Sequence, residues 1–473
     1  MTKFLGRESE LKALMELLQK TSASLVVFRG RRRIGKSRLA EEFAKQFSKY
    51  YIFSGLPPSK HPTADAQRAE FRRQMNVLGI SSHDANDWAD LFILVAKASE
   101  QSQTLVVLDE ITWMGSKDPD FLGKLKIAWD LHFKKNPKLI LILSGSNSAW
   151  IEKNILNSTG FVGRISYHLL LEELPLQVCN QFWGEKRSDI SAYEKFKILG
   201  VIGGIPRYLE EILPNQTAEE NIERLCFTRT GALFSEFDHI FTDLFGGRFQ
   251  GYRAIVKCLV NGPRSLDEVA EELGRVMGGD LLESLDELEE SGFLARDFIW
   301  HIKDGRISKL SRFRLRDNYL RFYLKYIDSR KEMIGKGIFK GLPVSWLSIM
   351  GLQFENLVLN HLGDIIKLLN IPSHEVVAAG QYLQLEGIHR KKCQIDLMIQ
   401  TKYNQLYICE IKFAKREVGL EVVKEVKEKL RRLERPKGFS CRPVLFHVNG
   451  VMEAVWESEC FSQIIDFGKL LEP

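Results

Sequence analysis

No C-x-x-C pair occurs among the seven cysteines, which are scattered at 179, 226, 258, 393, 409, 441 and 460. That spacing excludes a zinc ribbon and a paired-disulfide frame, and points to buried thiols in a reducing compartment. Uninterrupted apolar runs are short; none approaches the ~20 residues needed to cross a bilayer. The first residues, Met1-Thr2-Lys3-Phe4-Leu5-Gly6-Arg7, lack an apolar signal core. These absences predict a cytoplasmic chain with no membrane partner. Tandem repeats and long low-complexity tracts are also missing, which excludes a solenoid. Charge of one sign is scarce: 67 Lys and Arg stand against 61 Asp and Glu, a net of +6. So mild an excess does not by itself demonstrate a polyanionic partner, because distribution matters more than the sum. With 473 residues, the chain exceeds what one core usually supports, and about two to four domains are expected.

What is present begins at Gly30. The run Gly30-Arg31-Arg32-Arg33-Ile34-Gly35-Lys36-Ser37 fits G-x-x-x-x-G-K-[ST] at every fixed position. An apolar, β-branched run precedes it, Ser24-Leu25-Val26-Val27-Phe28, and a helical pattern from Arg38 follows it. Strand, glycine loop and helix start together make an anion cradle, with backbone N–H groups converging on phosphate oxygens. Residues Gly30 to Arg38 are the expected nucleotide-binding segment. Lys36 is expected to reach the β- and γ-phosphates, and the Ser37 hydroxyl to ligate Mg²⁺. A partner carboxylate comes from Thr104-Leu105-Val106-Val107-Leu108-Asp109-Glu110, a buried strand with two acids at its C-terminal end. Asp109 is expected to help hold Mg²⁺, and Glu110 to polarise the attacking water of ATP hydrolysis. A second buried strand ends in Ser144-Gly145-Ser146-Asn147, so Ser144, Ser146 or Asn147 is a candidate sensor of the γ-phosphate.

Apolar runs at 24–29, 50–54, 104–109, 138–144 and 165–171 alternate with helical patterns, including one over 7–20. This alternation predicts an α/β fold built on a parallel sheet. Pro57-Pro58 and His61-Pro62 mark an irregular loop after the second run. Residues 175–245 read as helical. Helices at 250–260, 265–273 and 280–290 then precede strand-like segments at 293–296 and 312–315, a winged-helix layout. The would-be recognition helix has no Lys or Arg between Gly278 and Gly292 and carries Asp280, Glu283, Asp286, Glu287, Glu289 and Glu290. Phosphates would repel it, so it is expected to pack on protein. Arg312, Arg314 and Arg316 in the wing leave room for contacts to a nucleic-acid backbone.

The segments Phe4-Leu5-Gly6-Arg7-Glu8, Gly30 to Ser37, Leu108-Asp109-Glu110, Gly163-Arg164 and Gly203-Gly204-Ile205-Pro206-Arg207-Tyr208 together resemble the archaeal-type P-loop ATPases of the AAA+/STAND lineage. Arg316-Asp317-Asn318-Tyr319-Leu320-Arg321-Phe322-Tyr323 is similar to that family's segment after the winged helix. The resemblance covers about residues 1–330. It implies that Gly6 and Arg7 lie near the adenine and that Pro206 or Arg207 faces the nucleotide from a helical lid. It makes Arg164 a candidate transition-state arginine, acting in cis or on a neighbouring subunit of a nucleotide-dependent homo-oligomer. The implied domains are an ATPase core over 1–174, a helical lid over 175–245 and a winged helix over 246–330.

Residues 345–473 read as a further α/β unit. Gln394-Ile395-Asp396-Leu397-Met398-Ile399 is a strand with one carboxylate, and fourteen positions later Glu410 and Lys412 lie two apart on another. Period-two geometry puts Glu410 and Lys412 on one face. A turn at Asn404-Gln405 lets the strands pair, so Asp396 and Glu410 can share a divalent metal while Lys412 orients or deprotonates water, the chemistry of phosphodiester hydrolysis. Glu355, on an upstream helix, is a third candidate carboxylate. This pattern resembles the PD-(D/E)xK restriction-endonuclease-like fold, with Ile395 where the family name has Pro. Between Arg390 and Arg442 there are 15 Lys and Arg against 7 Asp and Glu. That local excess fits a nucleic-acid partner, DNA before RNA, bound largely without sequence reading. The alternatives are an ATP-regulated scaffold that binds DNA or protein without cleaving, and a signalling ATPase with no nucleic-acid partner.

Overall fold

The computed structural model describes residues 4–57, 63–83, 85–100, 102–387 and 391–472. Pro58, His61 and Pro62 of the irregular loop, and Arg390 of the basic stretch, lie outside the described residues. Two compact units are present, residues 1–174 with 239–247, and residues 175–238 with 248–473.

The first unit is built on five strands: β1 (Ser24–Arg29), β2 (Lys49–Ser54), β3 (Thr104–Asp109), β4 (Leu139–Gly145) and β5 (Ile165–Leu170). All pairings are parallel and the spatial order is β2-β3-β4-β1-β5. Every residue of β3 and β4 is buried. Helices cover both faces of such a sheet, so its central strands need continuous apolar runs rather than alternation. One face packs on an aromatic cluster in which Phe71 stacks on Phe53 at 4.4 Å and Trp88 meets Phe121 edge-on at 4.9 Å. Ser144 is level with Phe28, and Asp109 with Ser54. The polar ends of β1, β3 and β4 therefore emerge along one edge, where ligands of open parallel sheets collect.

The second unit opens with short helices, among them the helix Ala192–Ile202. Helices Phe249–Cys258, Leu266–Leu273 and Gly279–Glu290 follow, the second started by a capping box of Ser265 and Glu268. An antiparallel ribbon comes next, β6 (Leu294–Trp300) and β7 (Ile307–Leu315). Helix Gly279–Glu290 buries Leu281, Leu285 and Leu288, while its Glu287 takes an ion pair from Arg248 at 3.1 Å and a hydrogen bond from the Tyr252 hydroxyl. The ribbon corrects one expectation. Arg314 is buried, paired with Asp297 at 2.8 Å and bound to Asn356 and Asn360, so it is not available to a phosphate. Arg312 is likewise engaged by the Pro263 carbonyl and by Glu268.

The carboxyl-terminal sheet has strands β8 (Val376–Gln384), β9 (Cys393–Thr401), β10 (Gln405–Ile411), β11 (Ser440–His447) and β12 (Gln463–Asp466), in the order β12-β11-β10-β9-β8. β8, β9 and β10 are antiparallel, and β10, β11 and β12 are parallel. Helix Met350–Asn360 is held from two sides. Its Phe354 meets Phe196 of helix Ala192–Ile202 at 5.7 Å and Phe413, just past β10, at 5.4 Å. Its Gln353 accepts a 2.7 Å bond from buried Arg321 and donates to the Asn318 carbonyl.

Candidate functional site

At the mouth of β1 the chain turns through Gly30, whose φ is +148°. A Cβ there would stand 2.5 Å from the Leu171 carbonyl oxygen, so only glycine lets the loop pass. Arg33 and Gly35 also take positive φ, and helix Lys36–Ala44 starts directly afterwards. Lys36 is buried, and its ammonium donates to the Gly30 and Arg31 carbonyls at 2.9 and 3.1 Å. Burial pulls its pKa down, Glu110 and Asp109 oppose that, and Arg32 and Arg31 add to it. A cation so enclosed is satisfied best by an anion. Ser37, in the first turn of that helix, donates a 2.6 Å hydrogen bond to Asp109 Oδ2 at the end of β3.

Glu110 follows β3 in a left-handed conformation, φ 50°. Its Oε2 accepts from the Ser146 hydroxyl at 2.7 Å and the Ser146 amide at 3.2 Å, which fixes the carboxylate beside the end of β4. Of the three candidate sensors, Ser146 is thus tied to Glu110. Asn147 caps the next helix through Trp150 N, and the buried Ser144 hydroxyl has no hydrogen-bond partner among the described residues. A cleft of about 250 Å³ opens here, lined by Arg32, Thr112, Trp113, Ser146, Asn147 and Trp150. Arg32 is held toward it by Asp243.

Other sequence candidates fall elsewhere. Arg7 donates to the Ile34 and Glu172 carbonyls and to Glu10 at 2.9 Å, so it braces the loop from behind, with Gly6 beside it in positive φ. Ile34 is buried under the loop, and Arg38 pairs with Glu41 at 3.4 Å. Arg164 immediately precedes β5, level with the start of β1, whereas the phosphate loop follows its end. Six parallel residues put about 20 Å of strand between the two edges. There Arg164 makes a bidentate pair with Asp130, both contacts 2.9 Å, and holds that carboxyl well below the usual range. The structure does not bring Arg164 to the loop of its own chain. Pro206 starts the short helix Pro206–Leu209, and Arg207, half exposed, pairs with Glu210 and Glu211.

The second unit gathers the other candidates. The β9–β10 register pairs Cys409 with Leu397 and, one step on, sets Glu410 opposite Asp396. Both are buried. Lys412 Nζ lies 3.0 Å from Glu410 and 2.6 Å from Glu425. A further lysine of the basic stretch, not among the candidate site residues, completes the group. Lys429 Nζ contacts Asp396 at 3.2 Å and Glu410 at 2.6 Å. The signal was in the spacing: Lys429 is three residues after Val426 and seven after Val422, both buried, and so shares their face. Burial, and then the neighbouring Glu410, push Asp396 up. Burial with Asp396 pushes Glu355 up to about 7. Among the described residues, no three His, Cys, Asp or Glu side chains converge in metal-holding geometry. Two opposed, buried carboxylates nevertheless form a donor set that suits a hard cation.

Residues 4–212 match a family described as an ATPase domain predominantly from Archaea. This segment carries an archaeal-type ATPase domain. An uncharacterized protein, MJECL04, of Methanocaldococcus jannaschii is 26% identical over 378 residues, spanning 78% of this chain and 79% of its own. Among solved structures, the Walker-type ATPase PABY2304 of Pyrococcus abyssi aligns at 17% identity and TM-score 0.48, over 68% of this chain and 96% of that one. The ORC2 protein of Aeropyrum pernix aligns at 13% identity and TM-score 0.42, over 71% and 96%. The architecture described above rests on the sheet order and the loop geometry themselves.

Glu355 yields a pH prediction. Its carboxyl titrates near 7 folded, from an ordinary 4.5. Below 4.5 both states are protonated and nothing is lost. Between the two values the unfolded chain sheds the proton first, so folding is progressively penalised up to pH 7. In metal-free buffer, Glu355→Gln is expected to gain stability over wild type across that window, by at most about 3 kcal/mol. Urea unfolding at pH 5 and 8 checks it, and an unchanged difference contradicts it.

Proposed function

We propose that the chain is an ATP-hydrolysing switch of the AAA+/STAND type coupled to a nuclease-fold domain that binds, and with a divalent metal cleaves, nucleic acid, DNA before RNA. The observation that carries the first half is the Ser37–Asp109 hydrogen bond at the mouth of a loop where Gly30 admits no side chain. In this reading the amides of Gly30 to Ser37 cradle the phosphates, and Lys36 turns from the loop carbonyls to the β- and γ-oxygens. Ser37 and Asp109 would hold Mg²⁺, which supplies charge neutralisation at the phosphates. Glu110, steadied by Ser146, polarises the attacking water. Gly6 and Arg7 flank the adenine side, and Pro206 or Arg207 serves a lid. Arg164 would serve only the site of a second copy, which makes the active form a nucleotide-dependent homo-oligomer.

Aromatic packing supports coupling to the C-terminal site. On a helix of the proposed lid, Tyr193 stacks on Phe413 and Phe196 meets Phe354 edge-on, and these two partners neighbour Lys412 and Glu355 in the chain. A lid movement on ATP binding would reach both residues. The helical trio with the β6–β7 ribbon reads as a winged helix whose acidic third helix serves protein contacts. Exposed Lys391, Lys392, Lys424, Lys427, Arg435 and Lys437 offer charge to a phosphate backbone. Asp396, Glu410 and Lys412 supply the hydrolytic group, with Glu355 as third acid. A second reading, a scaffold that binds without cleaving, draws on Lys429, which already satisfies both carboxylates.

Lys36→Ala and Glu110→Gln are each expected to lower ATP turnover by roughly a hundredfold or more. Unchanged turnover in both, in a steady-state phosphate-release assay, removes the catalytic assignment. Metal-dependent cleavage of duplex DNA is expected in the parent chain and lost in Glu410→Ala and Lys412→Ala. Salt-sensitive binding without cleavage would select the scaffold.

A further inference from the structure

Helix Glu421–Arg432 sends two charged side chains into the carboxylate group from outside the strand pair that defines it. Lys429 places one ammonium between Asp396 Oδ1 and Glu410 Oε2. Glu425, one turn earlier, accepts from Lys412. Val422, Val423 and Val426 bury the same helix against Leu445 and Val451. The helix therefore cannot roll away without exposing valines, and only the side chains are free to rearrange. Lys412 is shared with Glu425, so the principal counter-charge for the opposed acids is Lys429.

An ammonium within hydrogen-bond reach of both acids stands where a divalent cation bridging them would stand. Cations that close repel each other, and the Lys429 ammonium takes up Asp396 Oδ1 and Glu410 Oε2, the oxygens an ion between the two acids would draw on. We propose that Lys429 is a built-in competitor of the metal: Asp396 and Glu410 accept a divalent ion only when the Lys429 ammonium swings out. This rests on reading those two acids as metal ligands. It makes Lys429 a residue that sets metal affinity, and it gives the C-terminal domain a resting form whose acids are neutralised from within.

The test is Mn²⁺ binding to the full-length, nucleotide-free chain, followed by the EPR signal of the free ion. Wild type, Lys429→Met and Lys429→Arg are compared, each with and without Glu410→Gln. Lys429→Met is expected to bind Mn²⁺ at least roughly tenfold tighter, the scale on which neighbours of metal ligands act. Lys429→Arg is expected to show no gain, and Glu410→Gln to erase the gain. If Lys429→Met does not fold, Lys429→Gln, which removes the charge and keeps a donor, is held to the same outcome. Equal Glu410-dependent affinity with and without the lysine charge overturns the competition but leaves the acids as ligands. Weaker binding without the charge does the same. An absence of Glu410-dependent binding in every variant overturns both.

Discussion

A buried ammonium enclosed by carbonyls governs the amino-terminal unit. Lys36 gives up water for two loop carbonyls while Arg31 and Arg32 crowd it, and burial lowers its pKa accordingly. That arrangement is unfavourable unless the loop holds it in register. The loop is held by the press of Gly30 on Leu171, by the bracing of Ile34 and Glu172 by Arg7, and by the start of a helix at Lys36. The parallel sheet sets the positions of Asp109 and Glu110 against this loop. Fold and site are thus one constraint, a surplus of positive charge fixed at the end of β1.

The C-terminal group has the opposite sign. Asp396 and Glu410 are buried and Glu355 is half-buried, close enough together to raise the pKa of Asp396 and Glu355. Two lysines answer them, one from the end of β10 and one from helix Glu421–Arg432. A cation-lined loop and an acid-lined strand pair in one chain are what the proposed nucleotide switch with a nuclease-fold domain requires. Helix Met350–Asn360 carries Glu355 and is clamped by Phe196 on one side and Arg321 on the other. This gives the acid a firm mounting.

Much of this was legible in the sequence for a physical reason. Buried parallel strands require continuous apolar runs, so β1 and β3 fell at the expected residues and β2, β4 and β5 within one residue at either end. The phosphate loop and the opposed Asp396 and Glu410 follow from local spacing. What escaped was long-range pairing. Lys429 was one charge among many in a basic stretch, though its spacing from Val422 and Val426 marks the buried face. Arg314 looked like a wing charge and is consumed by Asp297 and Asn356. Arg164, a candidate to act in cis or on a neighbouring subunit, is paired with Asp130 at the edge of the sheet away from its own chain's loop.

The most direct test is calorimetric titration of the folded, full-length chain with a non-hydrolysable ATP analogue and Mg²⁺. A single saturable isotherm is predicted, abolished by Gly30→Val, whose side chain would strike the Leu171 carbonyl. No heat of binding from a properly folded sample, at any nucleotide concentration reached, would contradict the account.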